Sequence, residues 1–161
     1  MKFSMLMLVF FCFSAFATIP AGKYKVEKIQ CHKSKEVMKL GGKYMSYDIF
    51  LNITDTKLQM NVSAKSRSHA PFNLKCDQTN AGSIVYTKEN IFEGELKITN
   101  LKCNAWAYEK ILKMKNFGVE DYGEFTYSVN GNKLTVYKPN TKTNYRCKSS
   151  GDYPIYHYIK M

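Results

Sequence analysis

The segment FTYSVNGNKLTV, residues 125–136, constrains the fold of this chain more than any other stretch. Alternating apolar residues flank an Asn-Gly pair, which is the strongest short-range indication of a β-hairpin. With Asn130 and Gly131 as the two turn residues, alternation predicts one apolar and one polar face. The predicted pairs on the apolar face are Tyr127 with Leu134 and Phe125 with Val136.

A second segment, residues 47–64, repeats this arrangement with a different sequence. If Asp55 and Thr56 form the turn, the same alternation separates apolar from polar side chains. Asn52 and Gln59 then lie together on the solvent-facing side. The predicted apolar pairs are Ile53 with Leu58, Leu51 with Met60 and Ile49 with Val62. Both hairpins therefore predict a sheet with one apolar face and one solvent-exposed face, which we call the wet face.

Further strands are predicted along the whole chain, with Asn80-Ala81-Gly82 as a turn between two of them. Short strands at regular spacing are typical of an antiparallel sandwich or barrel. Because full closure removes exposed strand edges, we expect an all-β fold, an antiparallel meander closed into a barrel of eight to ten strands. The predicted strands are 23–31, 46–54, 57–65, 71–78, 83–88, 92–101, 123–130, 132–138, 143–148 and 154–160.

One segment departs from strand alternation and predicts a short α-helix around 105–116. Tyr108 and Ile111 are at helical spacing, and Asn104 is a candidate N-cap. We expect Trp106 to pack this helix onto the sheet.

The N-terminus has the features of a secretory signal peptide, residues 1–17. Lys2 precedes an apolar run that ends at small residues, with Ala17 as the preferred cleavage site and Ala21 as a later one. The run is shorter than a membrane span requires. We therefore expect a secreted or periplasmic protein without a transmembrane segment. Residues 18–161 are predicted to form a single domain, and we expect the protein to be a monomer.

Four cysteines follow the predicted cleavage site, an even number in an oxidising compartment, which predicts two disulfides. The cysteines are too far apart in sequence for the close pairs that metal sites use. Four cysteines allow three pairings. We favour Cys31 with Cys147, which would join the chain ends, and Cys76 with Cys103.

The formal net charge of the full chain is +11, and cleavage of the signal peptide lowers this charge by one because it removes Lys2. This charge favours anionic partners, such as an anionic surface or polymer. The lysines are scattered along the chain and arginine is nearly absent, so we expect no specific nucleic-acid recognition.

The inward positions of the predicted strands are the candidate ligand-binding residues of a barrel interior. A filled core would use the same residues, so the pattern leaves open whether the barrel is hollow. The candidates are Ile49, Leu51, Met60, Val62, Phe72, Leu74, Leu96, Ile98, Phe125, Tyr127, Leu134 and Val136.

Catalytic and metal-binding patterns are weak in this sequence. His32, His69 and His157 are the available neutral-pH bases, and no two stand at metal-ligand spacing. With the cysteines assigned to disulfides, no free thiol nucleophile remains. We expect no enzyme, no cofactor and no metal.

Two asparagines, Asn52 and Asn61, match the acceptor pattern for N-glycosylation. The hairpin register predicted above places both on the wet face. They are glycosylation sites only if the source is a eukaryote.

The chain also resembles a known group of barrels. Gly22-Lys23-Tyr24 resembles the G-x-W with which lipocalins open their first strand, with tyrosine in place of tryptophan, and the hairpin YSVNGNKLTV is similar to hairpins of bacterial lipocalin-like domains. On these motifs the chain is similar to a divergent calycin, the group that includes the lipocalins. The resemblance implies an apolar ligand inside the barrel and no catalysis.

Two functional hypotheses follow. The first is a non-enzymatic binding protein that holds a small apolar or amphipathic molecule inside the barrel. The second is a solid barrel whose basic surface binds an anionic polymer, a lipid headgroup or a target protein, including an enzyme-inhibitor role. Salt distinguishes them, because surface charge interactions weaken at high ionic strength and burial of an apolar ligand does not.

Overall fold

The computed structural model describes residues 18–106, 109, 121–139, 147 and 151–161. Its strands form one antiparallel sheet in which β9 pairs with β1 and closes an eight-stranded barrel. The two-residue strand β2 pairs with the second half of β1 outside this circuit. The strands are β1 (Gly22–Cys31), β2 (Val37–Met38), β3 (Met45–Ile53), β4 (Lys57–Ser66), β5 (Lys75–Lys88), β6 (Ile91–Cys103), β7 (Asp121–Asn130), β8 (Lys133–Tyr137) and β9 (Pro154–Lys160).

Consecutive strands of the barrel are neighbours, so the chain follows an up-and-down meander, as in lipocalins. The predicted all-β fold and its closure are confirmed. Closure pairs the two outer strands β1 and β9 with each other, and removing exposed edges is the physical reason for expecting a barrel from so many hairpins.

The β3–β4 hairpin has the predicted register. Its three predicted apolar pairs are all present, and Asn52 lies opposite Gln59 on the outer face. The connection is held by Thr54, whose backbone N–H donates to the Lys57 carbonyl oxygen and whose hydroxyl accepts from the Lys57 N–H.

The β7–β8 hairpin differs from the predicted register. Tyr127 lies opposite Val136, not Leu134, because Gly131 and Asn132 form the turn. Gly131 has a φ of +59°, and glycine at the first turn position is the arrangement of a type II′ turn. Because the shift moves each partner by two residues, the apolar side chains keep their face.

The predicted turn at Asn80-Ala81-Gly82 is wrong, since these residues lie inside β5. A Cβ on residue 82 would collide with the Glu95 carbonyl oxygen, so glycine there permits close approach of β6. The register shifts between Thr79 and Asn80, which marks a β-bulge. The two strands predicted on either side of the turn are therefore one long, bent strand.

Two further predictions fall largely outside the described residues. Of the predicted strand 143–148, only Cys147 is described. Of the predicted helix, Trp106 and Glu109 are helical, and the Glu109 N–H donates to the Ala105 carbonyl oxygen at 3.4 Å. Trp106 is largely exposed, so its predicted packing against the sheet is wrong.

Both predicted disulfides are present, Cys31–Cys147 and Cys76–Cys103. They lie at the end of the barrel where β1 ends and β5 begins, which we call the disulfide end. We call the opposite end, where β1 begins, the plugged end.

A buried carboxylate organises the chain at the disulfide end. Asp152 accepts hydrogen bonds from the backbone N–H groups of Lys33 at 2.7 Å, Ser34 at 3.1 Å and Tyr153 at 3.0 Å. Burial alone would raise the pKa of Asp152, but these N–H groups lower that pKa to about 2. The charged carboxylate therefore holds the turn after β1 against the start of β9.

Candidate functional site

The barrel interior contains a cavity of about 510 Å³. Its lining extends from Ile19 at the plugged end to Leu74 and Cys76 at the disulfide end. A tightly filled barrel leaves few voids larger than a water molecule. The interior of this barrel is therefore hollow, which the sequence had left open.

The residues before β1 close the plugged end. Ile19 is 3% exposed, and its N–H donates to the hydroxyl oxygen of Tyr86 at 3.1 Å. The Tyr24 hydroxyl donates to the carbonyl oxygen of Pro20. This short segment folds back under the barrel, and its apolar side chain forms part of the cavity floor.

Aromatic side chains complete the floor. Phe92 and Phe125 line the cavity and stack with ring centroids 5.2 Å apart, and behind this lining Tyr86 meets Tyr127 edge-on at 5.9 Å. Burial raises the pKa of Tyr86 and Tyr127, so both hydroxyl groups stay protonated at neutral pH. The aromatic cluster at this end of the barrel is therefore uncharged.

Eight of the twelve candidate ligand-binding residues line the cavity. They come from five strands and from the connection before β5, because alternation places every second residue of a barrel strand inside. These eight are Ile49, Leu51, Met60, Val62, Leu74, Leu96, Phe125 and Val136.

The other four candidates do not line the cavity. Tyr127 and Leu134 are buried in the packed core, and Ile98 is half-buried beside the bulge. Phe72 is 37% exposed and lies edge-on to Tyr44 with ring centroids 6.3 Å apart. The prediction for Phe72 was wrong because β5 begins only at Lys75.

Residues that the sequence analysis missed supply the polar part of the lining. Among the described residues, the charged side chains of the lining are Lys39 and Lys138, both at the disulfide end. Lys138 Nζ donates to the Tyr122 carbonyl oxygen at 2.6 Å and lies 5.4 Å from the centre of the Phe125 ring. Lys39 follows β2, a strand too short to show a period in the sequence.

The three histidines lie apart from one another and outside the cavity lining. His32 stacks on Tyr153 with ring centroids 4.6 Å apart, and His69 lies 2.8 Å from the carbonyl oxygen of Lys43. His157 borders a smaller outer hollow of about 290 Å³. Burial lowers the pKa of His157, with the positive charge of Lys28 adding to the effect.

Within the described ranges, one group of potential metal ligands comes together, formed by Cys31, Cys147 and Asp152. The two sulfur atoms are bonded to each other, and the Asp152 oxygens accept three backbone N–H bonds. These atoms already have structural partners.

The candidate glycosylation sites lie on the outer face, as the hairpin register predicted. Asn52 and Asn61 are both half-exposed. Asn61 Oδ1 accepts from Gln59 Nε2 at 3.1 Å and from the Thr79 hydroxyl at 3.2 Å.

A comparison with models of protein families found no match, and a comparison with curated proteins found none either. In the part of the chain that the structure describes, no helix has the length and apolar character needed to cross a membrane.

Proposed function

We propose that this protein is an exported, non-enzymatic carrier that holds a small apolar or amphipathic molecule inside its barrel. The observation that carries this proposal is the hollow interior of about 510 Å³. This volume falls in the ordinary range of pockets for small molecules. The barrel architecture and the opening motif at Gly22-Lys23-Tyr24 support membership of the calycin group as part of the same proposal.

The distribution of polarity inside the cavity favours a particular orientation of the ligand. The walls are mainly aliphatic with Ile19 and Phe92 toward the plugged end, while Lys39 lies at the disulfide end and Lys138 Nζ lies 5.4 Å from the centre of the Phe125 ring. An apolar chain would gain about 25 cal/mol for each Å² that it buries. An anionic headgroup would be attracted to the two ammonium groups. We infer that the ligand is an amphiphile whose anionic end lies at the disulfide end.

Secretion or delivery to the periplasm is part of the proposal. Two disulfides are typical of an oxidising compartment. The buried Ile19 supports cleavage after Ala17, because cleavage after Ala21 would remove the residue that closes the barrel.

The test is native mass spectrometry of the processed, disulfide-bonded protein from its own source, together with analysis of an organic extract. We expect one small molecule per chain that remains bound at high salt. An apoprotein that also fails to bind a panel of fluorescent fatty acids would overturn the proposal. Binding that disappears with rising salt would favour an anionic partner on the surface.

A matched pair of variants tests whether the ligand binds inside the barrel or on its outer surface. Val62→Trp fills part of the cavity, since Val62 belongs to the lining. Val85→Trp adds the same side chain on the outer face, where Val85 is 58% exposed. We expect the first variant to lose most of the bound ligand and the second to keep it. Equal loss in both, or in neither, would contradict binding inside the barrel.

A further inference from the structure

Gln78 brings a polar group into an otherwise aliphatic part of the cavity wall. It lines the cavity from the first third of β5, and its cross-strand partners Val62 and Leu101 line the cavity as well. An amide in such surroundings needs hydrogen-bond partners, because an unpaired buried amide costs free energy.

Asn80, two residues further along the same face, holds Gln78 in place. Gln78 Nε2 donates to Asn80 Oδ1 at 2.8 Å. Asn80 is 0% exposed, and its Nδ2 has no hydrogen-bond partner among the described residues. Buried polar side chains of this kind are rare and call for an explanation. Asn80 is therefore a positioning residue for the Gln78 amide.

The same pair of residues occurs on the outside of the barrel. Gln59 Nε2 donates to Asn61 Oδ1 at 3.1 Å on the outer face of β4. Water can satisfy the remaining polar atoms there. Inside the barrel Gln78 lines the cavity while Asn80 is fully buried, so a molecule in the cavity is the natural partner of the Gln78 amide.

Whichever way the two side-chain amides of Gln78 and Asn80 are rotated, one polar atom of the Gln78 amide is not used in the hydrogen bond between them and is available to the cavity. As described above, that atom is the carbonyl oxygen Oε1, an acceptor. If both amides rotate by 180°, Asn80 Nδ2 donates to Gln78 Oε1 and the NH₂ group of Gln78 becomes available as a donor. A hydroxyl group satisfies both arrangements, since it donates and accepts.

We propose that Gln78 selects amphiphiles whose apolar body carries a hydroxyl group. This inference rests on the proposed carrier function and adds to it a requirement for ligand chemistry. A hydroxyl on the apolar chain would hydrogen-bond to the Gln78 amide, while a fully saturated chain would leave that amide unpaired. The hydroxyl would lie partway along the chain, between the aromatic floor and the lysines.

The test compares stearate with 2-hydroxystearate and 12-hydroxystearate by titration calorimetry on the processed protein. We expect at least one hydroxylated acid to bind roughly 3- to 10-fold more tightly than stearate, as expected for one net hydrogen bond. Gln78→Met should remove this preference, so that the hydroxylated acids bind no more tightly than stearate. Gln59→Met, the matched change on the outer face, should keep the preference.

The possible outcomes separate this inference from the proposed function. If stearate binds and neither hydroxylated acid binds better, the hydroxyl selection is wrong and the carrier function stands. If Gln78→Met keeps the preference, Gln78 is not the selecting residue. If no acid binds, both proposals are overturned. Should Gln78→Met fold poorly, Gln78→Met with Asn80→Leu replaces the whole polar pair by apolar groups, a change that is nearly neutral when shapes match.

Discussion

Gly82 in β5 lies so close to Glu95 in β6 that a Cβ on residue 82 would collide with the Glu95 carbonyl oxygen. The contact joins two backbones, so no side chain can move aside to relieve it. The close approach of these two strands therefore depends on a single hydrogen atom in place of a side chain.

Gly82→Ala should lower the free energy of unfolding by at least about 2 kcal/mol, because the backbones must separate or strain. Urea denaturation monitored by tyrosine fluorescence measures this change. Gly42→Ala is the matched control, since a Cβ there meets no atom within 4 Å. A Gly82→Ala protein as stable as the Gly42→Ala control would show that the two strands can separate at little cost.

The segment before β1 should be part of the folded domain. Ile19→Ala should cost roughly 2–5 kcal/mol, the usual range for truncating a buried isoleucine. Thermal unfolding measures this change, and Val37→Ala, at an exposed position, is the control that should have little effect.

The N-terminal sequence of the secreted protein should begin at Thr18. A sequence that begins at Gly22 would mean that Ile19 does not close the barrel in the processed protein.

The stability of this protein should fall in acid through Asp152. Its pKa is about 2 in the folded state, below the ordinary value of about 3.9. The folded state therefore binds fewer protons than the unfolded state. The contribution of Asp152 is complete above about pH 4 and is lost as pH falls toward 2.

Asp152→Asn should lower the melting temperature at pH 7 and weaken the dependence of stability on pH between 4 and 2. The reason is that an amide has one acceptor oxygen where the carboxylate uses two, so at least one backbone N–H loses its acceptor and the remaining bonds lose the negative charge. Asp77→Asn, at an exposed carboxylate 3.7 Å from Lys75 Nζ, should change little. Melting temperatures measured from pH 2 to 7 check this prediction. The same dependence of melting temperature on pH in both variants would contradict the role of Asp152 in acid stability.

The two disulfides should differ in their contribution to stability. Cys31–Cys147 closes a separation of 116 residues and Cys76–Cys103 one of 27. The loop-entropy relation gives about 5 kcal/mol for the first and about 3.5 kcal/mol for the second.

Paired Cys→Ala variants, one for each bridge, should therefore unfold at different urea concentrations. The protein without Cys31–Cys147 should unfold first. The opposite order would mean that strain or residual structure in the unfolded chain outweighs loop length.

The two hairpins show where sequence reasoning succeeds and where it stops. In β3–β4 the alternation alone predicts the register, because Ile49, Leu51 and Ile53 each meet an apolar partner when the chain turns at Asp55-Thr56. In β7–β8 the pairing of apolar residues is equally good in two registers. The turn geometry at Gly131 decides between them.

The candidate site could be predicted in part. Alternation identified eight cavity-lining residues, since every second residue of a barrel strand faces inward. It could not identify Lys39, Gln78 or Lys138, because a polar residue in an alternating pattern is assigned to the wet face. Only the course of the strands around the barrel places these polar groups inside.

The sequence by itself determined the all-β architecture, the β3–β4 register and the expectation of two disulfides, because these depend on local alternation, turn residues and cysteine number. The tertiary structure decided what depends on distant strands meeting. It joined two predicted strands into β5, since Gly82 has to face the Glu95 backbone. It also left a cavity of about 510 Å³, because the interior volume follows from strand number and tilt and not from the residue pattern of any one strand.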